Sequence, residues 1–203
     1  MERRTFLNIS AASLGSLAVA SPLRAQFIPM PSNEKWAVVF ATWYGTARDA
    51  AVWISEGMGG IADVFDVRKP PADLAAYDHL VFGTAIQAFN VHPEMQKYLE
   101  ANTAKIKGKV RGLFAVCGNI GNPPGPEQVK NYIDGQMAKL TQADSAPKAV
   151  FGGRITRVLW GEKVYEENMK MYATIPGAPQ GEFDNLKRAD CMKFGAEILA
   201  KKA

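Results

Sequence analysis

Short apolar runs alternate with amphipathic stretches along most of the chain, each pair separated by a few glycine, proline or small polar residues. The first run, Trp36 to Ala41, has no polar position, the pattern of a strand buried on both faces. It predicts strand one over 35–41 and a helix from about Thr46 to Met58, closed by Gly57, Gly59 and Gly60. Residues 61–67 alternate like a strand until Pro70-Pro71 breaks them, and 73–76 leave room for a turn or two of helix. Asp78 to Ala85 predicts a third buried strand. Pro93 to Ile106 predicts a helix with proline in its first turn and Met95, Tyr98, Leu99 and Ile106 on one side. Strand four spans 109–116, helix four 127–142 and strand five 149–155, and a last helix covers about 185–202.

Five apolar strands alternating with helices predict an α/β protein, a parallel sheet covered on both faces. In such sheets ligands sit outside the carboxyl ends of the strands. The segments there are Thr42–Ala47, Thr84–His92 and Cys117–Gly125, rich in small or polar residues and free of Asp and Glu, with glycine in the first and third. The first joins a strand to a helix, so backbone N–H groups and the helix dipole converge on one spot suited to an anion. Gly45 can take the positive φ of such a turn, and Thr42 and Thr46 add hydroxyls. It has no lysine, which excludes a Walker loop, and lacks the glycines of a dinucleotide fingerprint.

The chain has 203 residues, enough for one domain with a sizeable core. Its start reads as a leader: Arg3-Arg4-Thr5-Phe6-Leu7 is a twin-arginine pattern, Ile9 to Ala20 is mildly apolar, and a cleavage site lies after Ala25. The expected organisation is a signal peptide over 1–26, a linker over 27–34 and a folded domain over 35–203, destined for the periplasm or exported. Formal charge is +4, and losing the leader's three arginines and one glutamate leaves about +2, with no basic run to serve nucleic acid. Cys117 and Cys191 would meet an oxidising compartment and can pair there, though two cysteines make no disulfide scaffold and packing is the simpler reading. No cluster of His, Cys, Asp and Glu has metal-ligand spacing. Cys117-Gly118 lacks the surroundings of a nucleophile elbow, since Ala115 replaces its first glycine and both histidines precede the cysteine.

Thr42-x-Tyr44-Gly45-Thr46 after strand one resembles the phosphate loop of flavodoxin-like domains, and Tyr77-Asp78, an apolar strand and Gly83-Thr84 resemble their second signature. Phe151-Gly152-Gly153-Arg154, a helical insert and Gly181-Glu182-Phe183-Asp184 resemble the branch of menaquinone-dependent protoporphyrinogen dehydrogenases. The resemblance implies a three-layer flavodoxin-like sandwich with strand order 2-1-3-4-5 and FMN at the switch point, an arrangement for which flavodoxin itself is the standing example. Carried over, Thr42, Trp43, Tyr44, Gly45, Thr46 and Ala47 would surround the phosphate. Ala47 stands where that family has a threonine hydroxyl. Thr84, Ala85, Ile86, Gln87, Ala88 and Phe89 would line one face of the ring, with Phe89 stacking on it, and Cys117, Gly118 and Asn119 would meet its pyrimidine edge.

His92 is the candidate for a proton or hydrogen bond near the flavin, against a role only in starting the next helix; His79 reads as structural. Residues 159–172 place Trp160, Val164, Met171 and Tyr172 near one face, either packed on the domain or serving as a lid or membrane-surface contact. Glu162, Glu166 and Glu167 read as a wet face. The implied function is an FMN-dependent oxidoreductase passing electrons from an organic donor to a quinone-like acceptor. The alternatives are an exported electron carrier for a redox protein and a flavin-free binding module.

Overall fold

In a computed structural model, residues 32–118 and 125–201 are described. The leader, most of the linker and Asn119 lie outside the described residues. Strand β1 (Trp36–Ala41) is buried at every position. It pairs in parallel with β2 (Ala62–Asp66) and β3 (His79–Gln87), and β3 pairs with β5 (Val110–Cys117), which pairs with β6 (Lys148–Gly152). The order β2-β1-β3-β5-β6 is the doubly wound order expected from the sequence.

Side chains alternate across a strand, so each face collects its own core. Ala37, Val39 and Ala41 join Leu80, Phe82, Leu113 and Ala115 on one face. There they pack under α2 (Pro93–Ile106) and a helix made of α3 (Pro126–Gln128), a π-type stretch (Val129–Ala138) and α4 (Lys139–Thr141). Val38, Phe40, Val81, Phe114 and Phe151 form the other core, under α1 (Thr46–Gly57) and α7 (Arg188–Ala200). The two outer helices approach closely because both contact faces carry glycine. A Cβ on Gly57 would sit inside the Met192 backbone, and one on Gly195 inside Ile54 O.

Cys117 belongs to the first core and Cys191 to the second, on opposite faces of the sheet, and both are buried. Pairing is ruled out by that separation. Burial, then the neighbouring Asp190, pushes the Cys191 thiol up to about 12, so it stays protonated.

Three segments differ from the sequence reading. The stretch 84–92 is no loop: β3 runs on to Gln87 and turns through Ala88 and Phe89 into β4 (Asn90–Val91), an antiparallel hairpin. Both turn residues have positive φ, 48° and 64°, the left-handed geometry that matches the twist of two-residue hairpins. Strand five stops at Gly152 rather than 155, because the chain there is squeezed between two backbones. A Cβ on Gly153 would meet Cys117 O at 2.7 Å, and one on Gly152 would overlap Asn185. Arg154–Ile155 instead forms β7, antiparallel to β8 (Phe183–Asp184), so the sheet gains β4 and a separate two-stranded ribbon appears. Between β7 and β8 the chain makes α5 (Arg157–Trp160) and α6 (Glu162–Tyr172), broken at Gly161 where φ is 76°. This excursion has its own small core of Ile155, Tyr165, Tyr172 and Ala178. Glu162, Glu166 and Glu167 are exposed. Among the described residues no helix is long and apolar enough to cross a membrane.

Candidate active site

The carboxyl ends of β1, β3 and β5 open into a cleft of about 630 Å³, within the roughly 300–1,000 Å³ of small-molecule sites. One end is the turn 42–46. Gly45 is the N-cap of α1 with φ 90°, and its N–H donates to Thr42 Oγ1 at 2.9 Å. As glycine it gives the first turn no side-chain cap, and the α1 N-terminus keeps its partial positive charge for a ligand. Thr42, Trp43, Tyr44 and Thr46 line the cleft. Ala47 does not. It is fully buried in the core under α1, so the place where a hydroxyl was looked for faces protein.

Ala85, Ile86, Gln87, Ala88 and Phe89 form one wall, and Cys117 and Gly118 lie on the floor. Thr84 is buried behind that wall, its Oγ1 donating to Ala85 O and accepting from the His92 N–H. The hairpin tip is held from outside by Gln136, whose Nε2 donates to Phe89 O at 3.0 Å and whose Oε1 accepts from Val91 N–H at 3.1 Å. A bulky residue such as Phe89 at positive φ is sterically costly and persists only where its surroundings fix it, which is what this amide does.

His92 is 8% exposed, stacks on Trp43 with ring centroids 4.1 Å apart, and caps α2 by accepting the Glu94 N–H at Nδ1. It does not line the cleft, and the helix-start reading describes it. His79 is likewise buried, against Trp36 at 4.3 Å. Burial first, and then Arg68, holds His92 below its ordinary 6.5, and the cap needs Nδ1 unprotonated. Below 6.5 the unfolded chain therefore binds a proton that the folded one refuses. The stability this site contributes is complete above about 6.5 and is lost as pH falls through the lower, folded value. Melting temperatures between pH 7.5 and 5 should show a steeper acid loss for the wild type than for His92→Asn, which caps without titrating.

The far side and roof of the cleft come from Trp160, Met171 and Tyr172, in the stretch weighed as a lid, and from residues that motif reasoning gave no role: Gln128, Tyr132, Arg154, Ile155, Asn168 and Ile175. Trp160 reaches over to Tyr44, centroids 5.1 Å apart, so the excursion bridges onto the 42–46 turn. Burial raises the Tyr132 and Tyr172 phenols, and Cys117 adds to the effect at Tyr132, so both remain O–H donors. Arg154 is the one charged side chain lining the cleft among the described residues. Burial alone would weaken its charge, but ion pairs of 2.7 Å to both Asp49 and Asp184 more than offset that. The sequence signal for this wall was Gly152-Gly153, where two glycines end a strand and mark a close backbone approach.

The arrangement suits a flat, largely apolar ligand carrying an anionic group at the α1 end. The flavodoxin domain family matches residues 37–170. Among solved structures, a flavodoxin from the domain Archaea aligns with a TM-score of 0.50 and 16% identity, covering 82% of this chain and 97% of that one. A WrbA-like flavodoxin from Agrobacterium tumefaciens aligns with a TM-score of 0.51 and 18% identity, covering 84% and 99%. No curated protein matches the sequence.

Proposed function

Because the chain belongs to the flavodoxin domain family, we propose that its cleft is the FMN site of an oxidoreductase of the protoporphyrinogen-dehydrogenase type. The cleft fits the cofactor at each end: a glycine-led, uncapped α1 start for the phosphate, and apolar or aromatic walls for the ring. Thr42, Tyr44, Gly45 and Thr46 hold the phosphate end, Ala85 to Phe89 flank the ring, and Cys117 and Gly118 meet its edge. Bound FMN supplies the redox chemistry, between an organic donor and a quinone-like acceptor. The protein's part is to orient the ring, to keep water off it under the roof of Trp160, Met171, Tyr172 and Ile175, and to offer the protonated Tyr132 and Tyr172 as donors.

That roof is the observation that carries the enzyme reading, because it lines the cleft with apolar and aromatic side chains that suit a small apolar partner. The excursion also exposes Val158 (94%), and Met171 (48%) is exposed where it lines the cleft, which supports contact with a membrane surface where quinones dissolve. An electron carrier for a redox protein is the second reading, favoured by Phe89, 80% exposed at the lip of the cleft. Heating the purified protein should release one flavin per chain, identified by mass as FMN. Release of FAD, or of nothing, rejects the site.

The twin-arginine pattern supports export of the folded, flavin-loaded protein. Replacing Arg3-Arg4 by Lys-Lys should leave a yellow, uncleaved precursor in the cytoplasm, since the export receptor reads the pair as an address. Normal export of that variant would show the leader to be of another kind.

A further inference from the structure

Arg154 stands at the base of the excursion, and its three guanidinium nitrogens are unequally engaged. Nε donates to Asp184 and Nη1 to Asp49, each at 2.7 Å. Nη2 has no partner among the described residues, and the side chain lines the cleft while only 15% exposed. The two carboxylates belong to different parts of the fold. Asp49 is in the first turn of α1, four residues after Gly45, and Asp184 is the residue opposite Arg154 in the β7–β8 ribbon that closes the excursion. Arg48 pairs with the same Asp49 at 3.0 Å, and its guanidinium lies beside Gly45. Two arginines and two aspartates thus form a neutral quartet at the α1 end, in which the Arg154 side chain lines the cleft and its Nη2 has no partner among the described residues.

We propose that Arg154 is a positioning residue that reads the phosphate: its Nη2 edge takes a phosphate oxygen of the bound flavin while Nε and Nη1 keep Asp184 and Asp49, so that occupation of the phosphate site locks the roof. The inference rests on the reading that the cleft holds FMN. A guanidinium is suited to the task, since its planar fork donates along several edges at once, which an ammonium does not. The fixed carboxylates hold the fork in place before the ligand arrives, so little side-chain freedom is lost on binding. A neutral quartet attracts the phosphate by the direction of its free N–H groups rather than by net charge, so the contact will discriminate by the presence of the phosphate and by little else.

Riboflavin keeps the ring and ribityl chain of FMN and lacks only the phosphate, which separates the two parts of the claim. Apo-protein is titrated with each flavin by fluorescence quenching, for the wild type and for Arg154→Met. The wild type should prefer FMN, and the variant should lose roughly ten- to hundredfold in FMN affinity with riboflavin affinity unchanged. Equal loss for both flavins, or no loss for either, overturns the inference while leaving the FMN reading intact. A wild type that binds neither flavin rejects both together. Hydrogen exchange on the wild type alone gives a second readout should the variant fail to fold. FMN should slow exchange over 157–175 beyond the protection that the ring alone gives with saturating riboflavin. Equal protection by both, or by neither, overturns the lock.

Discussion

Gly45→Val should reduce FMN binding by more than roughly a hundredfold while the sheet stays folded. Gly45 holds φ 90° at the N-cap of α1, a conformation that costs a β-branched residue on the order of 1–3 kcal/mol. An added Cβ would stand 3.8 Å from Arg48 Nη2, an ordinary van der Waals contact, so the cost lies in the backbone conformation. Relief comes only by rotating the turn, which breaks the Gly45 N–H bond to Thr42 Oγ1 and swings the α1 start away from the ligand. Gly45→Asn, which tolerates left-handed backbone, should keep most of the affinity. Flavin titration with a parallel melting curve separates binding from stability. Unaltered binding by the valine variant would place the phosphate elsewhere.

Bound FMN should have a two-electron midpoint potential above that of flavins held among carboxylates. The fully reduced ring tends to be anionic, and a nearby Asp or Glu would disfavour it as it disfavours any second negative charge. No carboxylate lines this cleft among the described residues. Asp49 and Asp184, the acids nearest its charged end, are both committed to Arg154. A roof that keeps water off the bound ring would strengthen what field remains. Such a flavin is easily reduced by an organic donor and is a poor strong reductant, so the same measurement weighs enzyme against carrier. A spectroelectrochemical titration giving a strongly negative value would favour the carrier. Ala85→Asp, which introduces a carboxylate on the ring wall, should lower the potential relative to the wild type.

The sheet was legible because its strands declare themselves. Trp36–Ala41 is apolar throughout, and α2 falls on 93–106 as read, since Pro93 and the spacing of Met95, Leu99 and Ile106 fix both its start and its face. The turn at 42–46 was legible for the same local reason. The hairpin was not, because its turn is Ala88-Phe89 rather than an asparagine–glycine pair and its geometry depends on Gln136, 47 residues away. Nor was the far side. Arg154, Tyr132 and Asn168 reach the cleft only through the close approach of Gly153 to the end of β5 and the closure of β7 on β8, and no motif carries such contacts. Ala47 misled in the other direction: its place in the motif pointed at the ligand, and its packing points at the core.

The glycine contact between α1 and α7 bears on when the site can come into being. Chains emerge amino terminus first, and α1, which forms the anion end of the cleft, is among the earliest elements made. Its glycine-lined face is closed by residues 188–200, and Arg188 reaches back 132 positions to Glu56. Until residues 188–200 have been made, that face of α1 has no partner. Flavin loading is thereby scheduled after residues 188–200 are in place, so a chain cut before Arg188 should stay colourless, and a chain that has taken up its flavin has joined its two outer helices.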